Sequence, residues 1–204
     1  MYSLQATGYK LHAMRIVTFD IETANWMSDI GTSDPADLTF ALVCIHDSDT
    51  GEYKSFLEPE LPQLWKILEN IDLLVGYNSD HFDIPLLNKY YPGDLTRIKS
   101  LDIMKEVQRV VGRRLRLDAI ADGTLGKKKS GDGAQSIKWW RAGEVDKVRQ
   151  YCLKDVEITR EIFDYALKNG NVKYRELGRV HEVKLDTSKW LGGSKKALTH
   201  TLGF

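Results

Sequence analysis

The stretch that decides the fold is RIVTFDIET, residues 15–23. After the arginine, its residues are β-branched or aromatic up to Phe19, a composition typical of a buried β-strand. Asp20 and Glu22 lie two residues apart at the end of this run. Because side chains alternate along a strand, both carboxylates point to the same face. The sequence therefore predicts a buried strand that carries two acids side by side.

Strand and helix patterns follow this stretch in the chain. Residues 39–47 and 52–57 are two strand-like runs joined by the turn SDTG, which predicts a β-hairpin beside the first strand. Apolar spacing and end signals predict one more buried strand and four helices. The ranges are 71–78 for the strand and 60–71, 81–91, 101–112 and 117–126 for the helices. This order favours an α/β domain with a mixed sheet over a helix bundle or a β-sandwich.

Several helix ends can also be predicted. The helices over 101–112 and 117–126 each start near an aspartate suited to capping. The longest helix runs from about Glu144 to Lys168 and ends at Asn169-Gly170. It carries one apolar stripe that must pack on the sheet, formed by Val148, Cys152, Val156, Thr159 and Phe163. A terminal hairpin and a polar tail follow it.

Composition limits the class of protein. The chain has 204 residues, 42% of them hydrophobic and 28% charged, with 29 basic and 29 acidic residues. Such a length suits one domain. The zero net charge excludes a polybasic protein that holds nucleic acid by its overall field, so any nucleic-acid site must be local.

The cysteines and the lengths of the apolar runs indicate the cellular compartment. Cys44 and Cys152 lie far apart without the spacing of a disulfide framework or a zinc site. No apolar run approaches the roughly 20 residues that span a bilayer, and the N-terminus lacks a signal-peptide stretch. We therefore expect a soluble, cytoplasmic protein in a reducing setting, neither secreted nor bound to a membrane.

The paired acids point to a metal. Like charges that are buried side by side either take up protons or bind a cation. Hard carboxylate oxygens favour Mg²⁺ or Mn²⁺. The alternative is that Asp20 and Glu22 are solvated at the end of the strand and bind no metal.

Further acids occupy positions that the fold would bring to the same place. Asp83 in GYNSDHFDIPLL follows a strand-like run at a helix start, and strand ends gather at one edge of an α/β sheet. Tyr151 and Asp155 in YCLKD lie four residues apart, so the long helix presents a phenol and a carboxylate on one face. Each has an ordinary alternative: Asp83 as a helix cap, Tyr151 in packing and Asp155 as a surface charge.

The segments FDIET, YNSDHFD and YCLKD, in this order, resemble the three exonuclease motifs of the DEDD 3′-5′ exonuclease superfamily, tyrosine subclass (DEDDy). Over about residues 14–170, the chain is similar to the exonuclease domain of family B DNA polymerases and to its stand-alone relatives. The histidine subclass requires a histidine where this chain has Gln150. The resemblance implies a ribonuclease-H-like mixed sheet, with the first three strands antiparallel and the later ones parallel, flanked by helices in a single domain.

The resemblance also implies a catalytic set. The metal-binding acids of the family match Asp20, Glu22, Asp83 and Asp155, and the subclass tyrosine matches Tyr151. These acids would hold two divalent ions, Mg²⁺ or Mn²⁺, for in-line displacement at phosphorus. Because the ordinary pKa of a phenol is about 10, Tyr151 is expected to orient the attacking water rather than to accept its proton.

Substrate contacts are implied in the same way. Thr23, Asn78 and Phe82 match residues that hold a single-stranded 3′ end. Phe82 would stack on a base, which is insensitive to sequence, and core packing is its alternative. Asn78 is alternatively a turn residue.

On this basis the chain divides into four parts. They are an N-terminal extension (1–13), a ribonuclease-H-like exonuclease domain (14–170), a C-terminal hairpin packed on that domain (171–189) and a tail (190–204).

We therefore expect a metal-dependent 3′-5′ exonuclease that hydrolyses phosphodiester bonds, with single-stranded DNA as the favoured substrate, by a two-metal-ion mechanism. A ribonuclease or structure-specific endonuclease on the same fold is an alternative, because no recognition module decides between DNA and RNA. A catalytically silent nucleic-acid-binding or docking domain is another. The expected partners are a nucleic-acid 3′ end and, as an open question, a replication or repair protein.

Charge is unevenly distributed along the chain. Residues 18–60 contain ten acids and one base, whereas residues 97–129 contain ten bases and four acids. The basic stretch either follows a phosphate backbone beside the acidic site or is a solvated helix face with a loop. Its end, LGKKKSGDG, lacks the Walker A pattern, so ATP binding is not indicated. For the adjacent Trp139 and Trp140, we favour packing of one of the pair against the domain over stacking on bases.

Overall fold

The computed structural model describes residues 14–127 and 133–192, and its centre is a five-stranded sheet. The strands are β1 (Ile16–Thr23), β2 (Phe40–Asp47), β3 (Glu52–Leu57), β4 (Leu73–Gly76) and β5 (Ser100–Asp102). Their order across the sheet is β3-β2-β1-β4-β5. β1, β2 and β3 are antiparallel, whereas β4 runs parallel to β1 and β5 parallel to β4. The predicted mixed sheet is confirmed, and β5 is an additional strand that was not predicted.

Seven helices surround the sheet in the described part of the chain. They are α1 (Met27–Ile30), α2 (Leu61–Leu68), α3 (Asp83–Asn88), α4 (Ile103–Val111), α5 (Leu117–Leu125), α6 (Gly133–Arg141) and α7 (Val145–Asn169). α1 and α6 were not predicted. Asp102 caps α4 by accepting a hydrogen bond from the backbone of Lys105, as expected. The expectation for α5 is wrong, because Arg116 precedes that helix and Asp118 lies inside its first turn.

The alternation along β1 separates two layers of the core. Val17, Phe19 and Ile21 belong to a buried cluster with residues of α2 and α3 on one side of the sheet. Thr18, one of the residues that alternate with them, is also buried. Asp20 and Glu22 follow Thr18 with the same period of two, so β1 presents its acids to the side on which α7 packs.

α7 is the main helix on that side. Its predicted stripe is buried throughout. The first part of the stripe, Val148, Cys152 and Val156, packs against Leu42 and Cys44 of β2. The helix ends at Gly170, whose φ of +66° is the left-handed conformation that glycine adopts easily.

The chain continues beyond α7 as an antiparallel hairpin. Its strands are β6 (Asn171–Glu176) and β7 (Arg179–Lys184), and β6 packs against α5. Trp190, in the segment assigned to the tail, is buried and stacks on Phe163 with ring centroids 5.9 Å apart. The extension over 1–13, the rest of the tail from residue 193, and Lys128 and Lys129 of the basic loop lie outside the described residues. None of the helices in 14–127 and 133–192 is long and apolar enough to span a bilayer.

Gly123 sets the distance between α5 and the hairpin. A Cβ atom at this position would lie 2.5 Å from main-chain atoms of Tyr174. We predict that Gly123→Ala lowers the free energy of unfolding by about 1 to 3 kcal/mol, because main chain cannot move aside as a side chain can. In a chain of this size, each kcal/mol lowers Tm by about 2 to 4 °C, which thermal melting will measure.

The matched control is Gly133→Ala, since a Cβ there meets no atom of residues 14–127 or 133–192 within 4 Å. Its Tm should stay close to that of the wild type. A wild-type Tm for Gly123→Ala would contradict the close approach of α5 and β6.

Candidate active site

A pocket of about 590 Å³ opens beside the end of β1. Its walls come from β1, the segment that follows β1, the start of α3, and helices α6 and α7. All eight residues singled out from the sequence line it: Asp20, Glu22, Thr23, Asn78, Phe82, Asp83, Tyr151 and Asp155. Positions more than 130 residues apart in the chain, such as Asp20 and Asp155, thus face one space.

Asp83 is attached directly to β1. Its Oδ1 accepts a hydrogen bond of 3.1 Å from the backbone N–H of Ile21, the residue between the two acids of the strand. β4 pairs with β1 only as far as Thr18, so Ile21 lies beyond the last strand partner on that side. Asp83 is also the first residue of α3, which follows Phe82 at the N-cap position. The carboxylate therefore connects α3 to the strand that carries Asp20 and Glu22.

Burial changes the titration of Asp83. The residue is 4% exposed. Burial raises the pKa of Asp83 to about 7, and the negative charge of Asp102 acts in the same direction, whereas backbone N–H groups that donate to the carboxylate lower it. Since the loss of solvation dominates, a negative charge at this position is costly unless a cation compensates it.

Glu22 is held from the opposite side by a residue that sequence reasoning missed. Ser136 of α6 is completely buried, and its hydroxyl donates a hydrogen bond to Oε2 of Glu22. The two residues are 114 positions apart. No local pattern marks Ser136, because a serine within a mostly polar helix looks like a solvated residue.

The two cysteines lie behind the acids. Both are free and buried, and Cys152 donates a hydrogen bond of 3.3 Å to the backbone carbonyl of Asp20. Its sulfur and the carboxylates of Asp20 and Glu22 lie within 4.8 Å of one another. Burial raises the pKa of the Cys152 thiol well above its usual range, and a hydrogen bond with Cys44 adds to this. The S–H of Cys152 is thus directed to a backbone carbonyl of β1.

α7 contributes Tyr151 and Asp155, one turn apart. Their exposed fractions are 8% and 5%. The ring of Trp139 meets that of Tyr151 edge-on, with centroids 6.1 Å apart. Trp139 and Trp140 are partly buried against the cluster beneath α7, which is the packing role favoured from the sequence.

The other three predicted contacts also line the pocket. The hydroxyl of Thr23 donates to the carbonyl of Asn25 at 3.1 Å. Asn78 has a left-handed φ of +67°, and its backbone N–H donates to Asp102 at 2.8 Å. Phe82 lines the pocket and also packs against the core, so both of its expected environments are present.

Trp26 lies beside these residues and was not predicted. It lines the pocket, and the guanidinium of Arg141 lies 4.3 Å above the centre of its ring. Arg141 also pairs with Asp29 of α1. These contacts connect α6 to the segment that follows β1, and they hold the ring of Trp26 in place beside the pocket.

Comparisons with known proteins agree with this architecture. A family model described as the RNase_H superfamily matches residues 17–168. No curated protein matches the sequence. Among solved structures, 165 chains match. One is the family B DNA polymerase from the hyperthermophilic archaeon Pyrobaculum calidifontis, with a TM-score of 0.58 and 21% identity over 76% of this chain and 25% of the polymerase chain. The chain thus spans about a quarter of that polymerase and shares the fold of this part.

The pKa of Asp83 predicts how stability depends on pH when no divalent cation is present. Its value is about 7 in the folded chain and near the ordinary 3.8 in the unfolded one. The stabilisation from protonated Asp83 is complete below about pH 4 and is lost as pH rises through 7. We therefore predict that, in EDTA, the free energy of unfolding of the wild type falls between pH 4 and 8 relative to that of Asp83→Asn.

Urea unfolding of both proteins across this range measures the difference. Asparagine has nearly the same shape and keeps an oxygen for the N–H of Ile21, so the comparison isolates the titration of Asp83. Parallel pH profiles for the two proteins would contradict a raised pKa.

Proposed function

The chain belongs to the RNase H superfamily, and from this premise we propose that it is a metal-dependent 3′-5′ exonuclease that hydrolyses phosphodiester bonds of single-stranded DNA. The fold supports a nuclease activity in general. The observation that carries the finer proposal is the convergence of Asp20, Glu22, Asp83 and Asp155 on one pocket. The direction and the substrate come from the resemblance of its three motifs to the exonuclease domain of family B DNA polymerases.

The chemistry of the pocket fits divalent cations. Four carboxylates line it, and three of them, those of Glu22, Asp83 and Asp155, are almost fully buried. Hard oxygen ligands of this kind select Mg²⁺ or Mn²⁺. The neighbouring thiol of Cys152 donates its hydrogen to the backbone carbonyl of Asp20. Two ions held by the four acids would supply an activated water and stabilise the charge that develops during in-line displacement at phosphorus.

The chain's own residues have distinct parts in this proposal. Ile21 and Ser136 hold the carboxylates of Asp83 and Glu22 in fixed orientations through hydrogen bonds. Such outer contacts place metal ligands and tune their affinity. Tyr151 faces the same space as the acids, where its hydroxyl would orient the attacking water.

Aromatic residues of the pocket suit the end of a single strand. Phe82 and Trp26 present aromatic rings to the pocket. Stacking on such rings contributes about 1 to 3 kcal/mol per base and does not depend on sequence. Thr23 and Asn78 line the same pocket, and from the resemblance of the motifs we assign them to the 3′-terminal nucleotide.

The proposal predicts a specific cleavage pattern. Single-stranded oligonucleotides of DNA and of RNA, labelled at the 5′ end, should shorten stepwise from the 3′ end in Mg²⁺ or Mn²⁺, and EDTA should stop the reaction. DNA should be the better substrate. Internal cuts would indicate an endonuclease, better cleavage of RNA would indicate a ribonuclease, and binding without cleavage would indicate a silent domain.

Two variants assign the roles within this assay. Asp20→Ala should abolish cleavage, since Asp20 is a proposed metal ligand. Tyr151→Phe should lower kcat by about 10- to 100-fold, because a residue that only orients the water contributes less than a group that transfers a proton. Equal losses in the two variants would count against Tyr151 as an orienting residue.

Ser136→Ala tests the hydrogen bond to Glu22. Without its donor, Glu22 loses a fixed orientation, and we predict that the Mg²⁺ concentration for half-maximal cleavage rises about 10- to 100-fold. Titration of the cleavage rate with Mg²⁺ measures this. Saturating Mg²⁺ should restore most of kcat, because Ser136 acts through Glu22.

Ser79→Ala is the matched control. Ser79 is also buried, but its hydroxyl has no hydrogen-bond partner in the described part of the chain. Its Mg²⁺ dependence should equal that of the wild type. If the two variants behave alike, the bond between Ser136 and Glu22 has no role in placing the ion.

A further inference from the structure

A second groove adjoins the candidate active site. It has a volume of about 340 Å³, and we call it the arginine groove after two of its lining residues. It is lined by Tyr77, Asn78, Met104, Arg114, Leu115, Arg116 and Leu117. Tyr77 and Asn78 also line the active-site pocket, so the two spaces share a wall. A chain that leaves the pocket past Asn78 enters the arginine groove directly.

The loop that carries the arginines is fixed in place. Leu115 is buried, whereas Arg114 and Arg116 on either side of it are exposed. The hydroxyl of Tyr77, at the end of β4, donates a hydrogen bond of 2.9 Å to the backbone carbonyl of Leu115. This bond joins the loop between α4 and α5 to the wall of the active site. The backbone that carries both arginines is therefore held beside the wall of the active site.

Part of the positive charge in this region is already compensated by acids. Four of the eight basic residues in 97–127 form ion pairs, one of them within its own helix and three with acids elsewhere in the chain. The pairs are Lys105 with Asp80, Arg109 with Glu106, Arg113 with Glu176, and Lys127 with Glu157 and Glu161. Arg116 lies 3.3 Å from Asp118, but its side chain is 71% exposed, so this pair is weak.

Arg114 differs from these residues. Within 14–127 and 133–192 it has no ion pair, and it lines the groove. Among the described residues, Arg114 is thus an unpaired positive charge that lines the groove beside the active site, whereas Lys99, which lines neither space, donates to the backbone carbonyls of Trp190 and Gly192. Of the two interpretations left open by the sequence, a solvated face describes the paired residues, whereas Arg114 suits contact with phosphate.

Asn78 adds an independent observation at the junction. The side-chain Oδ1 of this residue is buried and has no hydrogen-bond partner among the described residues. Buried polar atoms of this kind are rare and ordinarily find a partner when a ligand or water is bound. A nucleotide that spans the shared wall would offer one from a base or a sugar.

We propose that the arginine groove is a second subsite, which binds the sugar–phosphate backbone of the single strand one or more nucleotides upstream of the bond that is cut. The inference rests on the proposed function for the location of that bond. Arg114 is the phosphate ligand, and Arg116 adds a second positive charge. Tyr77, Met104 and Leu117 provide an apolar floor for the sugar.

Binding without catalysis tests the subsite. Fluorescence anisotropy in EDTA compares wild type, Arg114→Ala, Arg114→Lys and Lys66→Ala on a ten-nucleotide strand and on a dinucleotide, as DNA and as RNA. Lys66 is an exposed base on α2 that lines neither space, so its variant controls for net charge. Arg114→Ala should bind the ten-nucleotide strand about five- to tenfold more weakly and the dinucleotide unchanged.

The salt dependence identifies the contact as one with phosphate. Loss of one contact should reduce the slope of log K against log salt by about 0.7 for a single strand. Arg114→Lys should keep most of the slope, and Lys66→Ala should behave as wild type. Equal affinity and slope for Arg114→Ala and wild type, or no binding of the longer strand by wild type, would overturn the subsite.

The two proposals fail separately. If the wild type cleaves strands from the 3′ end but Arg114→Ala binds and cleaves them equally well, only the subsite is wrong. If Arg114→Ala shows the predicted loss of affinity and slope while no strand is cleaved, the groove is a nucleic-acid site and the exonuclease proposal is wrong.

Discussion

The structure of the pocket depends on the bond between Asp83 and the backbone of Ile21. The pairing of β1 with β4 ends at Thr18. Beyond it, Asp83 of α3 accepts the backbone N–H that a further strand residue would otherwise have bonded. Three carboxylates are thereby assembled around three consecutive residues of one strand. Burial makes the charge of Asp83 costly, as its raised pKa indicates. The arrangement therefore calls for a proton or a cation.

The opposite layer completes the pocket. α6 and α7 pack on the other face of β1, where Ser136 holds Glu22 and Cys152 donates to the backbone of Asp20. Tyr151 and Asp155 of α7 also line the pocket. The acids are thus fixed from two sides by packed helices, with few means of moving apart. This rigidity is what a site for small hard cations requires, because such ions demand defined ligand positions.

Local patterns in the sequence account for most of the architecture. β1, the hairpin of β2 and β3, and the stripe of α7 follow from alternation and helical spacing. The resemblance of the three motifs pointed to the ribonuclease-H-like fold and to eight residues that line the pocket. β5 has three residues and α6 has a mostly polar sequence, so neither carries a period long enough to recognise. The contact between Ser136 and Glu22 spans 114 residues and depends on tertiary packing alone. The lack of an ion pair at Arg114 could not be predicted either, since tertiary packing decides which of the neighbouring basic residues meet acids.

The most direct test of the account is a crystal structure of the wild-type protein grown or soaked in Mn²⁺, with anomalous diffraction data to locate the ion. If the four acids form a metal centre, strong anomalous peaks will lie between the carboxylates of Asp20, Glu22, Asp83 and Asp155, two of them when both sites are filled. The opposite result would be a crystal at saturating Mn²⁺ with no anomalous peak among these four acids, which would contradict the assignment of the pocket as a metal centre.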